Sequence, residues 1–265
     1  MRTLGLMAAI LIGSFVQAQE SFEDNEVSVK QGHVAVGLGL HSMNYAEEVP
    51  LPFKSTETGV IRGVHATTRI RISSKATMDV SGSFGTGDTK YDGSLQDGTP
   101  ATGVTKNSIL NLELLFGSEL DQGLEGYAGV GYRAWDRDLR GMRGGYLEEY
   151  RMIFLPIGIR GQVHLSGSLS LEPDVSLRYL AGGVVNAHIG EILDLPLGRR
   201  IGARMALPLV LGSRQSGGVV VTPWYEVTGI GDGPPKVVRA GRSLYQYHEP
   251  ASLNHQFGLS LAATF

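Results

Sequence analysis

The twelve residues Asn254-His255-Gln256-Phe257-Gly258-Leu259-Ser260-Leu261-Ala262-Ala263-Thr264-Phe265 decide how the rest of the chain is read. Counting by twos from Phe265 gives Ala263, Leu261, Leu259 and Phe257, with Thr264, Ala262, Ser260, Gly258 and Gln256 between them. Side chains of a β-strand point to opposite faces in turn, so the pattern makes one apolar face and one small or polar face.

The same alternation recurs upstream. Val34, Val36, Leu38 and Leu40 alternate with Ala35, Gly37, Gly39 and His41. Val64, Ala66, Thr68 and Ile70 alternate with His65, Thr67, Arg69 and Arg71. Comparable segments are centred on Val80, Leu112, Val130, Ile157, Leu177, Leu207 and Val221, which with the last one makes ten. No stretch after residue 18 carries apolar residues at the helical period. The connections expected after odd segments are long (42–59, 86–105, 136–149, 181–199 and 229–251), and those after even segments are short, so the two kinds fall on opposite rims. Pro156, Pro173, Pro208 and Pro223 fall inside segments six to nine, where a missing N–H predicts bulges, bends or a strand boundary.

A chain of alternating strands with sorted turns and a terminal aromatic strand resembles the small single-chain bacterial outer-membrane β-barrels, of the OmpA-like or porin-like kind. The resemblance implies an all-β fold: a closed, up-and-down, antiparallel transmembrane barrel of about ten strands, with eight or twelve as alternatives. It also implies contact with outer-membrane lipids and lipopolysaccharide, and recognition by the barrel assembly machinery through the strand ending at Phe265.

The N-terminus fits export. Arg2 precedes an apolar run from Leu4 to Val16, and Val16-Gln17-Ala18 offers the short residues a signal peptidase reads. The run is shorter than the roughly 20 residues of a spanning helix. The expected organisation is a cleaved signal peptide at 1–18, a flexible acidic lead-in at 19–32 and a barrel at 33–265. There is no cysteine, which excludes a disulfide framework and a lipidated N-terminal cysteine. A net charge of −3 carries no basic excess for nucleic acid.

If the aliphatic set faces lipid, the other set faces the lumen. Its cations are Arg69, Arg71, Arg133, Arg160, Arg178 and Arg204. Its anions are Asp79, Glu113, Glu125, Glu172, Asp174 and Glu226. Charges removed from water must pair, and strand order predicts Arg71 near Asp79 and Arg160 near Glu172. The expected role is structural or surface-interactive, with the lumen largely plugged by these pairs. The alternatives are a narrow channel for ions or small polar solutes and an outer-membrane enzyme acting on lipid A or peptides.

Catalytic signatures are sparse. His164-Leu165-Ser166 resembles the His and Ser of the lipid A 3-O-deacylase family, but strand order puts it at a short-turn rim. The omptin proteases use acidic residues and a His at the long-loop rim. The candidates there are Asp136, Asp138, His188, Glu191, Asp194, Asp232, His248 and Glu249, with no Asp-x-His pair, so solvated loop charge is the expectation. Asp88, Asp92 and Asp97 depart from calcium-loop spacing, no zinc pattern occurs, and Gly129-Val130-Gly131 precedes no helical pattern; no metal or cofactor is expected. By parity Trp135 and Trp224 point inward.

Overall fold

Strict alternation leaves each segment with one face that needs an apolar environment and one that needs polar partners, and both needs are met when the sheet closes on itself. The computed structural model describes residues 30–50, 53–95, 98–213, 217–240 and 243–265. The expected signal peptide, and the lead-in as far as residue 29, lie outside them.

Among the described residues there is no helix. The strands are β1 (Lys30–Glu47), β2 (Ser55–Arg71), β3 (Ala76–Ser94), β4 (Pro100–Asp121), β5 (Leu124–Asp138) and β6 (Leu147–Gly161). They continue as β7 (Val163–Ser166), β8 (Leu169–Leu171), β9 (Asp174–Ile189), β10 (Glu191–Pro196) and β11 (Ile201–Ala206). The last are β12 (Leu209–Ser213), β13 (Gly217–Ile230), β14 (Lys236–Ala240), β15 (Ser243–Tyr247) and β16 (Ser252–Thr264). Ten of them form the wall in the order β1-β2-β3-β4-β5-β6-β9-β11-β13-β16. β16 then pairs antiparallel with β1, from Ala35 opposite Thr264 to Glu47 opposite Ser252, and closes the barrel.

The prolines mark local departures from regular pairing. Pro173 separates β8 from β9 and Pro208 separates β11 from β12, and the two breaks lie side by side, since the Glu172 amide donates to the Pro208 carbonyl at 2.9 Å. Pro156 and Pro223 stay inside β6 and β13, opposite Arg178 and Leu259. A register shift between Ile153 and Phe154 inserts Ala181 as an extra residue on β9.

The long connections expected at one rim are mostly strand. β3 and β4 stay paired as far as Ser94 and Pro100, and β1 to β2 takes only residues 48–54. Residues 181–199 are largely the β9–β10 hairpin, which turns at Gly190 with φ +74°. Residues 229–251 include the β14–β15 ribbon. Alternation of apolar and polar residues stops where these strands leave the apolar belt, so a hydrophobic period ends before the hydrogen-bonded ladder does. The 22 residues of β4 run about 70 Å at about 3.3 Å each, well beyond a bilayer crossing of about ten residues.

The outer face carries the belt. Leu38, Phe116, Val130, Ile157, Leu177, Leu207 and Leu259 are all exposed. Its upper edge runs through paired neighbours: Phe84, Leu110 and Ala134 align across β3, β4 and β5, and one step higher Thr86, Ser108, Asp136 and Glu149 align. Buried side chains lie on the opposite parity, so the core of the molecule is its lumen.

Candidate functional site

The inward-facing charges sort into three tiers along the lumen. Nearest the rim where β1 starts and β16 ends, Asp79 on β3 binds two guanidiniums: Arg69 Nε donates to Oδ1 at 2.7 Å, and Arg160 reaches Oδ2 from β6. Arg160 also lies 3.1 Å from Glu125, which accepts from the Thr77 hydroxyl at 2.7 Å. Tyr127 donates to Asp174 at 2.6 Å and lies under the Arg160 guanidinium at 4.6 Å. Arg71, opposite Thr77, is exposed, and Asp79 takes Arg69 and Arg160 instead. Arg160, expected near Glu172, has its ion pairs with Glu125, directly opposite it on the neighbouring β5, and with Asp79 on β3, because a long side chain pointing into a narrow barrel can pass its neighbours on the wall.

The middle tier centres on Glu226. Arg133 donates from Nη2 to Glu226 at 2.5 Å, from Nη1 to the Thr228 hydroxyl at 2.7 Å and from Nε to Asn111 at 2.5 Å. Arg178 pairs with Glu113, and its Nη1 stands 4.0 Å from Glu226. Arg204, directly opposite Glu226 in the β11–β13 register, stands 3.8 Å from it. Trp224 faces inward and fills the niche left by Gly258, where a Cβ would meet the indole at 2.4 Å. Ten of the twelve lumen positions expected from sequence thus gather into two tiers, with Arg71 exposed and Glu172 in the break between β8 and β9.

The outer tier holds residues that sequence reading assigned to loops or passed over. Arg137 is 1% exposed and donates to Glu57 at 2.6 Å and to Glu148 at 2.5 Å, with Glu47 at 3.7 Å. Its guanidinium sits 4.3 Å from the Tyr45 ring, with Trp135 and Tyr150 next. Thr89 and Thr105 donate to Glu57, Asn107 donates to Thr89, and Trp135 donates to Asn107. Tyr150 donates to Glu249 at 2.7 Å. Glu249, expected among the solvated loop charges, is buried, and burial together with the Glu148 and Glu47 charges holds its carboxyl well above the usual carboxylate range. Met43, Ile61, Ile109, Met152, Phe154 and Leu180 pack around this tier. Its signal was in the sequence: Trp135 and Arg137 continue the inward parity of Arg133, and Glu148, Tyr150 and Met152 continue that of Phe154.

The remaining rim candidates stay apart. His188 Nε2 meets Glu149 at 2.8 Å on the outer face, beside the Arg151–Asp136 pair, and His248 stands 3.7 Å from Asp232 at an exposed site. His164 and Ser166 are exposed on β7. No cluster of metal-ligating side chains occurs among the described residues.

No family model matches the chain, and no curated protein matches it. Solved structures do. The outer-membrane protease OmpT from Escherichia coli superposes with a TM-score of 0.62 at 11% identity, over 92% of this chain and 99% of that one. The translocator domain of the autotransporter NalP from Neisseria meningitidis gives 0.41 at 12% identity, over 96% and 95%. The toluene transporter TodX from P. putida gives 0.32 at 9%, over 89% and 90%. At such identities the likeness concerns the fold alone, and the OmpT superposition carries it: the chain shares the closed antiparallel ten-strand barrel fold of that protein.

Proposed function

We propose that the chain is an integral outer-membrane barrel with a structural or surface-interaction role, its lumen closed at the end opposite the start of β1 and the end of β16. The observation that carries this reading is the outer tier: above the level where the outside changes from aliphatic to polar, Arg137, Tyr45 and Tyr150 are buried and mutually bonded across the interior. An exposed aliphatic belt around a sheet without edges is stable in hydrocarbon and a liability in water. Outer-membrane lipids, lipopolysaccharide among them, would cover that belt. The assembly machinery would read β16, whose Phe265 is 71% exposed.

The polar wall above the belt and the β14–β15 ribbon, with Val237, Leu244 and Tyr245 exposed, are the surfaces such a protein offers to the outside. The expected behaviour is fractionation with the outer membrane, faster gel migration before boiling than after, and no stable conductance steps in planar bilayers. Stable open steps would overturn the closed-lumen reading, and recovery in a soluble fraction would overturn the membrane reading.

A further inference from the structure

The middle tier borders a cavity of about 170 Å³. Its charged lining is three guanidiniums, Arg133, Arg178 and Arg204, against two carboxylates, Glu113 and Glu226. Arg133 and Arg178 are engaged by those carboxylates. Arg204 is held less closely: it stands beyond hydrogen-bond reach of Glu226, with its side chain 35% exposed and its guanidinium 5.3 Å from the Trp224 ring. On the same indole lies His41, ring centroids 5.2 Å apart, and its Nε2 is buried with no hydrogen-bond partner. An excess positive charge, an orphaned polar nitrogen and an aromatic face therefore meet at one space.

We propose that this cavity is a binding site for a small organic monocarboxylate, with Arg204 and His41 taking the carboxylate and Trp224 and Ile109 lying against its apolar part. A guanidinium fork matches a carboxylate in geometry. One negative charge also balances the lining, which water in the same space would leave with an excess cation at low dielectric. An apolar cavity of about 150 Å³ holds benzene, which sets the size class at one ring or a chain of a few carbons. The direction of access follows from the neighbouring tiers. Arg137 and Tyr45 are shut in on one side, whereas Arg69 keeps 26% of its side chain exposed on the other, so the ligand arrives from the rim where β1 starts and β16 ends. Only this direction rests on the closed-lumen reading; the site itself does not.

Benzoate is the probe, titrated calorimetrically into the full-length barrel in detergent. Saturable binding of about one benzoate per chain is expected, with benzamide, of the same shape and uncharged, binding about tenfold more weakly. Arg204→Gln is expected to weaken benzoate about tenfold while the barrel still migrates faster unboiled, and His41→Ala to weaken it severalfold. If Arg204→Gln yields no heat-modifiable barrel, the benzoate-to-benzamide ratio on the unaltered chain decides. Absence of benzoate binding by the folded barrel, equal binding of benzamide, or undiminished binding by a folded Arg204→Gln variant overturns the site. Failure of the closed-lumen reading shows elsewhere, as conductance steps, and leaves benzoate binding standing.

Discussion

Arg137 in the outer tier and Arg204 in the middle tier are both inward-facing guanidiniums stacked near aromatic rings, and their surroundings differ in every other respect. Arg137 is 1% exposed, bonded to two carboxylates and a tyrosine hydroxyl, and enclosed by Met43, Met152 and three aromatic rings. Arg204 borders open space and has no carboxylate within hydrogen-bond distance among its ion-pair contacts. The charge balance differs in the same sense. The outer tier sets one guanidinium among Glu47, Glu57, Glu148 and Glu249, an excess of carboxylate that, together with burial, holds the Glu249 carboxyl well above the usual carboxylate range. The middle tier has an excess of cation and room for a counter-ion. The same residue types make a closure where two carboxylates and a tyrosine hydroxyl bind the guanidinium and a receptive space where no carboxylate stands within hydrogen-bond distance.

The strongest way to break this contrast is Arg137→Met, which leaves the outer carboxylates buried without their cation. Removing one partner of a buried ion pair costs about 3–5 kcal/mol. The temperature at which the unboiled band converts to the unfolded position is expected to fall markedly, and an unchanged conversion temperature would show that the tier does not bear on stability. Gly258→Val attacks the middle tier instead. Its side chain would occupy the Trp224 niche, costing about 1–3 kcal/mol as overpacking. Tryptophan emission is expected to shift as the indole is displaced, and an unshifted spectrum would place Trp224 elsewhere.

Glu249→Gln sharpens the comparison with a smaller effect. The folded carboxyl is raised above its unfolded value of about 4.3, so its contribution to stability is present in full at low pH and is lost as pH rises toward and through the folded value. Arg137, Glu47, Glu148 and the hydroxyls of Tyr45, Tyr146 and Tyr150 are the groups that face it. Between about pH 5 and neutral the native chain is expected to lose about 1.4 kcal/mol per pH unit over which the unfolded group is ionised and the folded one is not. The Gln variant should show a flatter profile. Equal slopes in chemical denaturation of both proteins would remove Glu249 from the argument.

The barrel was legible because the aliphatic period is long and unbroken: Leu110, Leu112, Leu114 and Phe116 on β4, or Ile153 to Ile159 on β6, admit few other readings. Parity carried the lower two tiers as well, since Arg133, Arg178 and Glu226 sit opposite aliphatic residues that fix which way they point. What stayed hidden lies above the belt, where both faces become polar. Asp136 and Arg137, or Lys90 and Thr89, are neighbours that hydropathy cannot separate, yet one of each pair is buried and the other faces out. The pairings across the lumen were hidden for a different reason, because parity names a face but not which opposite wall a long arginine will reach. The Ala181 bulge on β9 inverts the phase, so that Leu180 is buried before it and Val185 and Ala187 after it.

The seam between β1 and β16 carries a consequence for biogenesis. Ala35 meets Thr264, and Glu249, which the outer tier needs, comes only three residues before β16 begins. Contacts so distant along the chain form slowly. A polypeptide stopped short of β16 would lack its fastening and would expose unpaired ladder edges on β1 and β13. The sheet is left without a free edge only once β16 has paired with both β1 and β13.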